Sequence, residues 1–374
     1  MGKSLSDLGG TDEHVHGGTA RGLFGALTNA LARSRPRPTV AELEQIYADL
    51  LKAAAAIKRS LQTDSLYGAR PFKELVVAAR FADGADVGRA QVRAGAQVLD
   101  VCLANPDRDE AADMDRFMGA LARMVKVPLM IDSTDARVIE IALRHCQGKA
   151  IVNSINLEDG EERFASVVPL LKTYGAAVVI GCIDEDAKQG MAVTRQRKLA
   201  IAERSHGLLT QKYGVPARDL IFDALVFPVG TGDQNYIGSA IETIEGIRAI
   251  KARFPECKTI LGISNVSFGL PPAGREVLNA VFLYHCVKAG LDYAIVNTEG
   301  LERYPSIPEE ERRLAEDLID WRGSDPVAPF VAHFRVKKKA PPVARTLSLD
   351  ERLARYIVEG ARDGLVEDLN EKLR

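Results

Sequence analysis

Seven short apolar runs in this chain end the same way, on an Asp or an Asn. They are Gln97–Asp100 (QVLD), Pro128–Asp132 (PLMID), Ala150–Asn153 (AIVN), Gly175–Asp184 (GAAVVIGCID), Leu220–Asp223 (LIFD), Ile260–Asn265 (ILGISN) and Tyr293–Asn297 (YAIVN). A carboxylate accepts hydrogen bonds, and an amide both donates and accepts. Several such groups brought to one place would bind a ligand through directed hydrogen bonds to its polar edge.

The spacing says how they could be brought together. Helical stretches separate the runs, giving repeats of roughly 20–40 residues, the size of a βα unit. Parallel strands buried on both faces read as continuous apolar runs, as these do. Polar residues at the carboxyl ends of such strands are where a (β/α)₈ barrel builds its active site. The expected fold is therefore an α/β (β/α)8 TIM barrel, with the Asp and Asn side chains converging on one mouth.

The intervening helices read from period and caps. Thr39–Gln62 is amphipathic and opens on a T-x-x-E capping box formed by Thr39 and Glu42. Asp86–Ala94, Asp109–Met124, Asp135–His145, Glu161–Tyr174, Thr194–Tyr213, Asn235–Phe254, Pro272–Lys288 and Glu309–Arg322 follow, with Phe81–Gly84 (FADG) read as a turn. A closed barrel needs eight strands, and the weak apolar stretch Gly22–Asn29 (GLFGALTN) is the upstream candidate for the first. The expected domains are an N-terminal extension over 1–66, a barrel over 67–333, a charged linker over 334–346 and a helical tail over 347–374.

Composition bounds the rest. The chain has 374 residues, 46% hydrophobic and 27% charged, with net charge −2. That balance gives no footprint for nucleic acid or an anionic membrane. No apolar stretch reaches the ~18–20 residues of a membrane span, and the first residues lack the apolar core of a secretory leader. The cysteines (Cys102, Cys146, Cys182, Cys257, Cys286) are odd in number and scattered, with no CxxC pair. They read as reduced thiols of a cytoplasmic protein, and no metal site is expected. Asp12–Gly17 (DEHVHG) matches a DxHxxG pattern that places a His beneath cobalt, but no strand precedes it and a polar tail is the simpler reading.

Five stretches taken in order carry a family resemblance: Asp100–Met114 (DVCLANPDRDEAADM), Met130–Thr134 (MIDST), Ile151–Gly160 (IVNSINLEDG), Ile221–Gly232 (IFDALVFPVGTG) and Gly262–Pro271 (GISNVSFGLP). They resemble the methyltetrahydrofolate-binding, or pterin-binding, module of cobalamin-dependent methionine synthase and the related methyltetrahydrofolate:corrinoid methyltransferases. The likeness runs from about Gly68 to about Arg322. The tail Leu347–Leu373 is similar to the start of the cap that precedes that family's cobalamin domain. The family's first-strand Gly-Glu-Arg-Thr-Asn motif has no counterpart here beyond Gly25–Asn29 (GALTN). Its homocysteine and cobalamin modules are not among the 374 residues.

The resemblance implies a pterin-binding barrel with helical N- and C-terminal extensions. It implies that Asp132, Asn153 and Asp223 bind the amino-pyrimidinone edge of a reduced pterin, with Asp100 close by. Asn265 would face N5, accepting a hydrogen bond from the protonated nitrogen as the methyl group leaves. The methyl donor would be 5-methyltetrahydrofolate and the acceptor Co(I) of a corrinoid on a partner domain or protein, the folate half-reaction of methionine synthesis. A homodimer is left open.

Three other readings stand beside this one. A dihydropteroate-synthase-like enzyme would need a basic motif after the last strand, where this chain has the acidic TEGLERYPSIPEE. A corrinoid methyltransferase with a non-folate donor would not need the pterin motifs. A non-catalytic folate-binding scaffold would bind without turnover. Taken singly, an Asp at one strand end is more often a cap or loop anchor. Ser133 and Thr134 read as caps, Cys102 and Cys182 as buried small residues, and His145, His206 and His285 as packing or surface residues.

Overall fold

The computed structural model describes residues 61–65, 70–231, 233–297 and 302–336. Eight parallel strands close into a barrel in chain order. They are β1 Leu61–Ser65, β2 Val98–Cys102, β3 Leu129–Asp132, β4 Ile151–Leu157, β5 Ala177–Asp184, β6 Leu220–Asp223, β7 Lys258–Gly262 and β8 Tyr293–Ile295. The helices are α1 Arg70–Val77, α2 Phe81–Ala94, α3 Glu110–Leu121, α4 Ala136–His145, α5 Glu162–Tyr174, α6 Arg195–Gly207, α7 Ser239–Arg253, α8 Pro272–Ala289, α9 Glu309–Ile319 and α10 Val327–Val336.

Two apolar layers hold this together. The larger lies between strands and helices, where Leu99, Ile131, Val152, Ile180, Phe222 and Leu261 meet Phe117, Ile139, Phe164, Ile201, Ile247 and Phe282. The smaller is the barrel interior, built from Val98, Met130, Ile151, Ala177, Val179, Ile221 and Ile260, with Tyr293 and Ile295 packed against it. Side chains alternate faces along a strand, so one set fills the barrel while the other packs on the helices. At ~25 cal/mol per Å² of apolar surface, both layers are dominant stabilising terms.

Helix ends follow local chemistry. Asp109 accepts from the N–H groups of Ala111 and Ala112 at the start of α3, and Asp135 from Arg137 at the start of α4. Thr194 caps α6 as its sequence suggested, accepting from Arg197. Gly95, Gly175 and Gly290 end α2, α5 and α8 in the left-handed conformation that glycine adopts without a Cβ penalty.

Two expectations about the N-terminal side are corrected. The first strand is Leu61–Ser65, which pairs with β2 at Thr63–Val98 and with β8 at Leu61–Tyr293; it is not Gly22–Asn29. LQTDS carries four polar residues in five, so it gives no apolar run to read. Its first two residues also continue the period of the preceding amphipathic stretch, so the strand starts inside the expected 39–62 helix and the expected 1–66 extension. The second correction concerns Phe81–Gly84, which opens α2 and is not a turn. Gly84 there serves packing, since a Cβ would lie 3.2 Å from Phe72 and 3.4 Å from Phe117. At the other end α10 runs to Val336, three residues into the stretch read as linker. The Gly22–Asn29 stretch, the bulk of the 39–62 helix, the 337–346 linker residues and the 347–374 tail lie outside the described residues.

Candidate functional site at the barrel mouth

The interior layer sets the direction of the next residues along each strand. Val98, Met130, Ile151, Val179, Ile221 and Ile260 point into the barrel. Two residues on, with the same parity, are Asp100, Asp132, Asn153, Gly181, Asp223 and Gly262. Three carboxylates and one amide therefore form the layer above the apolar plug, at the carboxyl ends of the strands. On β5 and β7 the residues of the same parity are Gly181 and Gly262, which put no side chain into the mouth.

The sheet register staggers these groups, with Asp100 paired to Met130 of the apolar plug. Cys102 pairs with Asp132, and Asp132 with Asn153. Asp223 pairs with Gly181 on one side and Ile260 on the other. Asp100 is buried within β2, 3% exposed, whereas Asp132, Asn153 and Asp223 are half-buried at the mouth. Asn265 lies on the 3₁₀ turn Ile263–Ser267 that follows β7, and it is exposed. Its amide reaches back over β7, because a Cβ built on Gly262 would touch Asn265 Nδ2 at 3.4 Å. The turn itself is pinned: Val229 N–H donates to Val266 O at 3.1 Å, Ser267 Oγ to Ser264 O at 3.1 Å, and Arg275 Nε to Ser267 Oγ at 3.2 Å.

Two carboxylates are electrostatically perturbed. Burial pushes Asp132 up to about 6, opposed by a hydrogen bond from the Cys102 thiol and assisted by the nearby Glu110. Burial also pushes Asp223 up to about 6, opposed by the Leu225 N–H and by the Lys198 ammonium. The Leu225 N–H donates to Asp223 Oδ1 at 2.8 Å. Strand-end groups poised near neutrality in a cleft are a mark of functional sites.

The structure adds residues that sequence reading did not single out. Arg163 at the start of α5 donates to the Ser133 carbonyl at 2.7 Å, to the Ser154 carbonyl at 3.4 Å and to the Thr134 carbonyl. It thereby ties together the loops that follow Asp132 and Asn153. Lys198 on α6 does the same for the loops after β5 and β6, with its Nζ on the carbonyls of Ala192, Ala224 and Leu225. A signal existed for Lys198: with Ile201, Ala202 and Ser205 it lies on the buried stripe of its helix, at i, i+3, i+4 and i+7. Glu110, whose Oε1 is buried and unpartnered, stands close enough to Asp132 to raise it. Nothing in its sequence context set it apart from an ordinary acidic residue in a first helical turn.

Beside the ring of acids a cleft of about 700 Å³ opens between the β5 and β6 loops, lined by Asp184, Met191, Arg197, Phe227 and Tyr236 among others. Phe227 and Tyr236 stack with centroids 4.9 Å apart. Asp184 is bound by Arg197 Nη2 at 2.5 and 2.6 Å, and its burial needs that partner. Met191, Ile237 and Phe268, large apolar side chains that remain exposed, stand on the loops after β5, β6 and β7.

Other sequence candidates fall outside the mouth. Cys182 is buried under α6, His145 meets Asp115 at 2.8 Å, His206 stacks on Phe254, and His285 meets Glu316 at 3.1 Å. Ser133 Oγ accepts from the Asp135 N–H at 3.2 Å, one turn ahead of the helix, while Asp135 and not Ser133 is the cap. Among the described residues no group of three or more His, Cys, Asp or Glu could hold a metal ion, and no helix is long and apolar enough to cross a membrane.

Comparison with known proteins fits this geometry. The family model described as "Pterin binding enzyme" matches residues 70–297, from the first helix to the end of the last strand. The chain belongs to the pterin-binding enzyme family. Within that family its resemblance to methionine synthase is borne out by curated relatives. Methionine synthase of Mycobacterium tuberculosis is 40% identical over 318 residues, 82% of this chain and 26% of that protein. Methionine synthase of Mycobacterium leprae is 39% identical over the same shares. The chain thus spans about a quarter of the length of these relatives. A solved dihydropteroate synthase from Stenotrophomonas maltophilia covers 76% of this chain and 96% of its own, at 14% identity and TM-score 0.45.

Proposed function

We propose that this chain is a folate-binding methyltransferase module that works in the cytoplasm. It binds 5-methyltetrahydrofolate and presents the N5 methyl group to Co(I) of a corrinoid held by another domain or protein. The observation that carries the reading is the ring of Asp100, Asp132, Asn153 and Asp223 above an apolar plug, in a member of the pterin-binding family, with the Asn265 amide lying over Gly262.

Each group has a chemical task in this reading. Asp132 and Asp223, ionised, accept from the N–H groups of the pterin edge, and Asn153 supplies both a donor and an acceptor. Each charge-assisted bond contributes ~1.5–3 kcal/mol. N5 is a poor leaving group until it gains a proton. Asn265 cannot deliver that proton, but its carbonyl accepts from protonated N5 and favours the transition state over the ground state. The exposed Met191, Ile237 and Phe268, on the loops after β5, β6 and β7, would offer apolar contacts to a corrinoid docking face-on.

The test is methyltetrahydrofolate-dependent methylation of free Co(I) cobalamin, followed by visible absorbance, in wild type and Asn265→Ala, with folate binding measured by calorimetry. Removing one such stabilising group is expected to slow turnover by ~10²–10³-fold. Folate affinity should change far less. Wild-type protein that does not bind methyltetrahydrofolate sinks the reading. Tight binding with no turnover, even with a corrinoid protein supplied, leaves a folate-binding scaffold.

A further inference from the structure

We infer that Lys198 is a positioning residue of the folate site: from within the barrel wall it locks the loop after β6 and keeps a fixed positive charge behind Asp223. Its consequence for folate rests on the reading above; its electrostatic half stands on the protein alone.

The geometry is unusual for a lysine. Lys198 is 0% exposed on α6, among the apolar residues that pack the helix on the barrel. A buried ammonium costs several kcal/mol unless all its donors are met. Here Nζ donates to Ala192 O at 2.9 Å, to Leu225 O at 3.2 Å and to Ala224 O. One of these carbonyls follows β5 and two follow β6, so three donors cross-link two mouth loops. An apolar side chain could fill the same volume without that cost, which argues that the charge itself is used.

The link from Lys198 to Asp223 passes through one residue. Leu225 sits at φ 60°, in the left-handed region that a branched side chain seldom adopts. Its carbonyl is held by Lys198 Nζ and by Thr243 Oγ1, the latter at 2.9 Å. Its N–H is thereby aimed at Asp223 Oδ1, 2.8 Å away. Space for the lysine is made on α7, where a Cβ at Gly246 would come within 2.7 Å of Lys198 Cδ.

The charged groups around it come from three elements: Asp223 of β6, the Cys182 thiol of β5 and Glu242 of α7. Glu242 is already engaged by Arg195 at 2.6 Å. Burial pushes the Cys182 thiol up to about 12, so it stays neutral. Burial lowers Lys198 to about 8, opposed by these three neighbours, so it remains a cation at pH 7. Asp223 is then the acid whose ionisation the buried cation supports.

The experiment compares wild type, Lys198→Gln and Gly246→Ala. Lys198→Gln keeps donors for the carbonyls and removes the charge. Gly246→Ala keeps the charge and crowds the side chain off its carbonyls. The ¹³C-carboxyl resonance of Asp223 is titrated in each folded protein, without folate, and methyltetrahydrofolate affinity is then measured from pH 6 to 9. Removing the charge is expected to raise the Asp223 midpoint by about one unit or more, which is a tenfold change in its ionisation constant. Folate affinity at pH 7 should fall about twofold for a rise of one unit and about tenfold for a rise of two, and recover as pH rises, because the ionised acid is restored. Gly246→Ala should move the midpoint the same way by less, and it carries the test if Lys198→Gln does not fold. A midpoint that stays at the wild-type value in these variants overturns the inference. If the midpoint moves but wild type binds no methyltetrahydrofolate, the folate reading falls while the electrostatic role of Lys198 stands.

Discussion

Asp223→Asn separates what this carboxylate costs the fold from what it contributes to binding. Asparagine keeps the shape and an oxygen to accept the Leu225 N–H at 2.8 Å. It removes a charge whose pKa is raised from 3.8 to about 6. A carboxylate raised in the folded state adds stability below its unfolded pKa and loses it as pH rises through its folded pKa. At pH 7 the buried charge therefore destabilises the folded protein by two units, on the order of 2–3 kcal/mol. Asp223→Asn should melt several degrees above wild type at pH 7, at ~2–4 °C per kcal/mol for a domain this size. That advantage should shrink as pH falls from 6 towards 4, where wild type protonates. Binding should move the other way. Losing one charge-assisted bond worth ~1.5–3 kcal/mol weakens methyltetrahydrofolate affinity about 10–100-fold at pH 7. Scanning fluorimetry against pH and titration calorimetry read the two quantities on the same samples. A variant that is stabilised yet binds folate as tightly as wild type would refute the assignment of Asp223 to the pterin edge. One that is destabilised at pH 7 would refute the electrostatic account of its burial.

Three further outcomes follow from named contacts. Cys102→Ala removes the thiol that donates to Asp132, so the acid limb of folate binding, set by groups near 6, should shift upward in pH; calorimetry across pH 5–8 reads it. Gly262→Val places methyl groups where the Asn265 amide lies, so the rate of cobalamin methylation should fall about tenfold or more while folate affinity changes less. Arg163→Met frees the carbonyls of Ser133, Thr134 and Ser154 and leaves them without their cation, so thermal stability should drop by roughly 1–3 kcal/mol and folate affinity with it; unaltered melting would mean the loops hold without the guanidinium.

Much of the barrel is legible in the chain because its strands are buried on both faces. β2 to β8 appear as apolar runs that stop on a polar residue, and each run is a strand of the closed sheet. The candidate ring is legible for the same reason. Asp100, Asp132, Asn153 and Asp223 fall two residues after interior residues, and the two-residue period of a strand turns them inward together. The helix starts at Asp109, Asp135 and Thr194 are local chemistry and need no partner elsewhere in the fold.

Other features exist only once distant segments meet. β1 is polar and short, and it is a strand because β2 and β8 offer it hydrogen bonds on both sides. Gly84 continues a helix where the residue pattern suggested a turn, because Phe72 and Phe117 occupy the space of a side chain. Arg163 and Lys198 look like ordinary helix cations until their helices pack on the barrel and bring them under the strand-end carbonyls. Sequence alone determined seven of the eight strands and turned Asp100, Asp132, Asn153 and Asp223 inward, since both depend on local period and hydrophobicity. Tertiary structure decided which strand closes the barrel, which cations hold the loops and how far burial moves each acid. Those depend on desolvation and on charges brought together from elements far apart in the chain.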